Sequence, residues 1–169
     1  MFKTAIWEFA GSLEKTDPTL PENAYVLNKK WPYAEIVPAD AIVLHPYGRF
    51  CNATKFAGEI DVFEAMAAAR GTYAIDDHRI LVAGFSMGGA SAWHLATHHA
   101  GLWAAAAPGA GFVEVARYTK AFAPGKEPPE WWEQKLWGWY NATDYARNLF
   151  NCPTIAYSGE IDPQKQAAD

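Results

Sequence analysis

The chain has 169 residues, half of them hydrophobic and a fifth charged, with 14 basic against 19 acidic side chains and a formal net charge of −5. A single domain accommodates that length, and a folded chain of this size buries about two-thirds of its surface. Eight Trp, eight Tyr and nine Phe exclude a disordered chain, and the acidic balance excludes a binder that neutralises nucleic-acid phosphates. No apolar run approaches the roughly 20 residues that cross a bilayer, and the opening MFKTAIWEFAG lacks a signal-peptide core, so no membrane contact and no particular compartment is expected. Cys51 and Cys152 form no C-x-x-C pair, which leaves neither a disulfide scaffold nor a zinc site. No metal and no cofactor is expected.

Residues 1–40 carry the weakest pattern: a short strand over 5–9, loop over 11–22, and a helix over 23–31 stopped by Pro32. Residues 41–44, AIVL, read as a buried strand running into the loop HPYGRFCN. Asp61 with Glu64 three residues on reads as a capping box, opening a helix over 62–70 that ends at Gly71. Asp76, Asp77 and Arg79 read as a turn with a local ion pair, before a strand over 79–83. A helix follows over 88–99, then a third apolar run over 102–107 ending in PGAG, and a helix over 113–122. The three prolines of residues 123–130 exclude regular structure there. The aromatic WWEQKLWGWY precedes a helix over 143–150 and a last strand over 154–157 that enters SGEID. Strands alternating with helical crossovers predict an α/β fold, a parallel sheet with helices on both faces in three layers. The chain reads as a single domain, 1–169, with a Trp- and Pro-rich excursion at about 123–142.

The chemistry concentrates in Gly84-Phe-Ser86-Met-Gly88. A bare G-x-S-x-G is common, but here an apolar strand precedes it and a small-residue helix follows. That is the context of a nucleophile elbow, in which the serine sits on a strained strand-to-helix turn. The residues two before and two after it approach closely, which Gly84 and Gly88 permit. The turn raises the Ser86 hydroxyl to the positive end of the helix, where the Met87 N–H is positioned to hold a developing oxyanion.

The segment RILVAGFSMGGASAWHLA resembles the elbow region of α/β-hydrolases, in particular the prolyl oligopeptidase and dienelactone-hydrolase-like branch of esterases and peptidases. HPYGRFCNATKFAGEIDVFEAM, YAIDDHRI, the PGAGF turn and CPTIAYSGEIDPQKQAAD are similar to prolyl oligopeptidase family catalytic domains, in the same order, over about residues 41–169. The resemblance implies an α/β-hydrolase fold and a Ser–Asp–His triad in that chain order. Ser86 falls on the nucleophile and Asp162 on the acid, with Glu160 the competing carboxylate. The base is expected one strand further on, where residues 163–169 contain no histidine. His45, His78, His94, His98 and His99 all lie upstream, and His45 alone occupies the right end of its strand. The expectation is therefore a truncated catalytic domain, lacking the first strands and the last strand and helix. It would be a serine hydrolase acting on a small ester, less readily on a short peptide, because peptidases of this branch gate their cavity with a large extra domain. An inactive homologue serving as a binding module, or one part of a split enzyme, are the other readings.

Three further residues are candidates for substrate contact. Arg49 offers a planar cation for a substrate carboxylate, His45 lies in the same loop, and Trp137 lies with Trp131, Trp132 and Trp139 in an excursion that either lines a pocket or packs onto the body. Lys55, Glu59 and Asp61 read as capping and solvated residues, with substrate binding the alternative. Oligomeric state does not follow from the sequence.

Overall fold

Four parallel strands form the sheet in a computed structural model that describes residues 2–9, 41–46 and 52–162. They are β1 (Phe2–Phe9), β2 (Ala41–Leu44), β3 (Ile75–Phe85) and β4 (Ala105–Gly109), in the order β2-β1-β3-β4. Parallel neighbours need long crossovers. Helix α1 (Ala57–Thr72) connects β2 to β3, and α2 (Met87–His98) connects β3 to β4. The chain's first strand thus lies between the second and third. Beyond an irregularity between Phe2 and Thr4, where the partners on β3 jump from Ile75 to Ile80, the register runs across the sheet: Leu44 faces Ile6, Ile6 faces Val82, and Val82 faces Ala106.

Period-two alternation in β3 decides where the core sits. Ile80 and Val82 are buried, packed with Ala92, Leu95 and Ala96 of α2 and with Val62 and Met66 of α1. Trp103 and Cys152 close the same cluster, and the Trp103 indole N–H donates to the Leu95 carbonyl at 2.9 Å. Each large side chain buried there contributes about 1.5–3 kcal/mol. On the opposite face Leu81 and Phe85 remain 39% and 37% exposed. The described helices α1 and α2 therefore share one layer against one sheet face. The helix expected over residues 23–31 lies outside the described residues.

Several elements differ from the sequence reading. Helix α1 starts at Ala57, because Phe56 at φ 53° turns the chain and the Gly58 and Glu59 N–H groups donate to the Lys55 and Phe56 carbonyls. Asp61 accordingly lies inside the helix, and Gly71 does not end it. Residues 75–79 are strand; Asp77 pairs with Arg70 of α1 at 2.7 Å, and Asp76 accepts from the His78 N–H. The helix expected over 143–150 is a 3₁₀ segment, Ala142–Asn151, tied to α2 by Asn148 Nδ2 donating to the Thr97 carbonyl. Residues 154–157 reach only two parallel bridges to β4, Ala106 to Thr154 and Gly109 to Tyr157, leaving Ile155 exposed. Short helices α3 (Val115–Thr119) and α4 (Trp131–Trp137) flank the irregular proline-rich stretch.

Candidate active site

Ser86 follows β3 and stands at the N-cap of α2, with φ 57° and ψ −117°. A non-glycine residue held there costs on the order of 1–3 kcal/mol and persists only where its surroundings over-determine it. Here they do. The Ser86 N–H donates to the Gly109 carbonyl at 2.9 Å, and its own carbonyl accepts from the Ala90 N–H at 3.0 Å. A Cβ on Gly84 would overlap the Gly88 carbonyl, so the strand and helix can approach as they do only without one. The same holds between Gly89 and Gly111, whose backbones touch. The PGAG turn after β4 is thereby locked onto the elbow. These are the close approaches that the glycine spacing predicts.

Half-buried Ser86 and Met87 line a cavity of about 350 Å³ with Asn52, Ala53, Lys55, Phe112 and Tyr118. Phe112 and Tyr118 stack, with centroids 4.3 Å apart. The opposite wall is the loop before α1, where Ala53, Thr54 and Phe56 all have φ between 53° and 57°. Ala53 and Thr54 are buried, and Asn52 Nδ2 donates to the Lys55 carbonyl at 3.0 Å. Lys55 Nζ lies 5.2 Å from the Phe112 ring centroid and 5.6 Å from that of Tyr140. Burial lowers its pKa from the ordinary lysine value. Sequence reading had no handle on this wall. Ala53, Thr54 and Phe56, left-handed without a glycine, leave no compositional mark, and Lys55 reads there as a solvated charge with substrate binding as the alternative.

All five histidines of the chain lie among the described residues, and none stands beside Ser86. His94 is buried, 4% exposed, with Nε2 at 2.6 Å from Glu59 Oε2. Burial, with the neighbouring His98 second, depresses its pKa to about 4, against the opposing pull of Glu59. His94 is therefore neutral near pH 7 and donates from Nε2 to Glu59, whose carboxyl is held low by His94 and His99 despite its own burial. His98 Nδ1 donates to the His94 carbonyl at 2.9 Å, and His99 Nε2 lies 3.2 Å from the same Glu59 oxygen. Eight residues along α2 separate His94 from Ser86, about 12 Å of axis. His78 lies eight residues back along β3, about 26 Å at strand rise. His45 follows Leu44, level with Ala83 and two strands from it, about 10 Å across the sheet. His45 does not line the cavity, and the register does not bring it to Ser86.

Asp162 lies five residues past Tyr157, at the sheet edge that carries Ser86, in a turn closed by its N–H donating to the Gly159 carbonyl. It is half-buried, whereas Glu160 is exposed. Trp137 ends α4 against Phe122 and does not line the cavity; Trp131, Trp132 and Trp139 are exposed. From that excursion it is Tyr140 that reaches inward, against Phe56 and His94. Arg49 and Cys51 lie outside the described residues. Among the described residues no cluster of His, Cys, Asp and Glu is arranged to hold a metal, and no helix is long and apolar enough to cross a membrane.

A parallel sheet with a strained serine between strand and crossover helix defines an α/β-hydrolase fold, and solved structures share it. The S-formylglutathione hydrolase of Staphylococcus aureus matches with a TM-score of 0.55 at 13% identity, covering 94% of this chain and 65% of its own. The fluorophosphonate-binding serine hydrolase F of Staphylococcus aureus matches at 0.54 and 13%, covering 99% and 80%. An arylesterase matches at 0.53 and 15%, covering 98% and 70%. The chain thus spans about two-thirds to four-fifths of these structures. Comparison with curated proteins finds no match. Residues 53–168 match the model of the prolyl oligopeptidase family, and the chain belongs to that family.

Proposed function

We propose that the chain is the nucleophile-bearing part of a serine hydrolase that cleaves carboxylic esters. One observation carries the reading: Ser86 is held at φ 57° and ψ −117° between β3 and α2, facing a cavity. Backbone strain of that kind is retained where it positions a reacting group. Ser86 Oγ attacks the ester carbonyl as an imidazole takes its proton, and the Met87 N–H donates to the resulting oxyanion. The ester C–O bond breaks as the imidazole passes that proton to the departing alcohol, and water, deprotonated in its turn, releases the acyl group as acid and restores the Ser86 hydroxyl. Asp162, at the same sheet edge, orients an imidazole and stabilises its protonated form. None of the chain's own histidines stands beside Ser86, so none of them is assigned as that imidazole. An arylesterase shares the fold, so the scaffold is compatible with ester chemistry.

The test is intact-mass labelling with a fluorophosphonate beside Ser86→Ala. A hydrolase deprived of one triad member keeps only a residual rate, on the order of 10³–10⁴ over water. The expected result is one slow adduct that disappears in Ser86→Ala. Equal labelling of the variant refutes the assignment of Ser86. A folded chain that takes no label favours a binding module on the same scaffold.

A further inference from the structure

Lys55 is a cation with aromatic neighbours and no paired anion among the described residues. Its Nζ lies over the Phe112 and Tyr140 rings. No carboxylate among the described residues pairs with it, and the nearest one in its own segment, Glu59, is turned to His94 and His99. Two electron-rich ring faces attract the charged ammonium. The side chain also starts from a loop in which Ala53, Thr54 and Phe56 are all left-handed and two residues are buried. Such a loop fixes where the ammonium points, and it lines the same cavity as Ser86. A net charge of −5 makes the surface as a whole repel anions, so one that binds needs a local cation.

From this placement we infer that the cavity takes an ester bearing a free carboxylate, which Lys55 Nζ holds while the scissile carbonyl lies at Ser86 and the carbon skeleton packs on Phe112 and Tyr118. The inference rests on the reading of Ser86 as the reacting group and adds the substrate class. Lys55 here is a specificity residue. It takes the role that the sequence offered to Arg49.

The experiment reads binding, so it is independent of turnover. Calorimetric titrations with monomethyl glutarate, which is anionic, and dimethyl glutarate, which is neutral, are run on the wild type and on Ser86→Ala, Lys55→Met and Lys55→Arg. The expected result is that the anionic ester binds the wild type and Ser86→Ala alike, and weakens as NaCl rises from about 50 to 500 mM. Lys55→Met then binds it about tenfold or more weakly, the scale of one charge-assisted hydrogen bond, while Lys55→Arg keeps most of the affinity. The neutral ester is indifferent to both changes. Equal binding of the anionic ester by Lys55→Met and wild type overturns the proposal, as does no preference of the wild type for the anion. Failure of the Ser86 reading shows instead in the labelling experiment and leaves these titrations unchanged. Circular dichroism identifies a variant that has unfolded, in which case Lys55→Gln replaces Lys55→Met.

Discussion

Acidification from pH 7.5 to 5.0 is expected to weaken the fold through one residue, His94. Its ring is enclosed by Glu59 of α1, by His98 and His99, and by the Tyr140 ring, and its Nδ1 has no hydrogen-bond partner. With a folded pKa of about 4 against 6.5 in the unfolded chain, the unfolded state binds more protons throughout that interval. Stability therefore falls as the pH drops, beginning near 6.5 and complete below about 4. At 1.36 kcal/mol per unit, the loss between pH 7.5 and 5.0 is about 2 kcal/mol, approaching about 3 kcal/mol at the acid limit. Glu59, whose carboxyl is also depressed, adds its own loss only below the ordinary carboxylate range. The assay is urea denaturation at half-unit pH steps for the wild type and His94→Gln, whose amide can still donate to Glu59. The two stability curves should diverge below pH 6.5, the wild type falling about 2 kcal/mol further by pH 5.0. Parallel curves would refute the account of His94 as a neutral, desolvated donor.

Two other substitutions test the elbow and the core. Gly84→Ala places a methyl group against the Gly88 carbonyl, where only backbone could yield. It should cost about 1–3 kcal/mol and abolish fluorophosphonate labelling even in the fraction that remains folded. Met66→Ala removes a buried side chain of α1 from the cluster around Ile80 and Leu95. A loss of about 2–5 kcal/mol in chemical denaturation is expected, with labelling of the folded protein unchanged.

The elbow was legible in the sequence because its requirements are compositional. Glycines at 84, 89 and 111 are where two backbones touch, and an apolar β-branched run before them is a buried strand. The parallel α/β architecture followed from alternating elements for the same reason. Boundaries failed where tertiary contacts set them. A capping box at Asp61 was overridden by the left-handed turn at Phe56, and the strand to Phe85 extends back through two aspartates that fall between the Ile75 and Ile80 pairings with β1, where Asp77 is held by Arg70. The cavity wall was illegible, since left-handed Ala53, Thr54 and Phe56 are invisible to propensity. Histidines spaced along α2 gave no hint that three of them would gather on Glu59 and the 3₁₀ segment instead of at Ser86.

The hydrogen bond from Ser86 to Gly109 and the contact of Gly89 with Gly111 join two crossover turns that lie some twenty residues apart in the chain. Neither turn is complete alone. Without β4 docked, the serine loses the Gly109 acceptor and the Gly89–Gly111 contact, and only the Ala90 hydrogen bond and the close approach of Gly84 to Gly88 remain to hold its unfavourable conformation. The nucleophile's geometry therefore depends on a strand that is not its own, and reactivity toward a fluorophosphonate reports whether β4 is docked on the elbow.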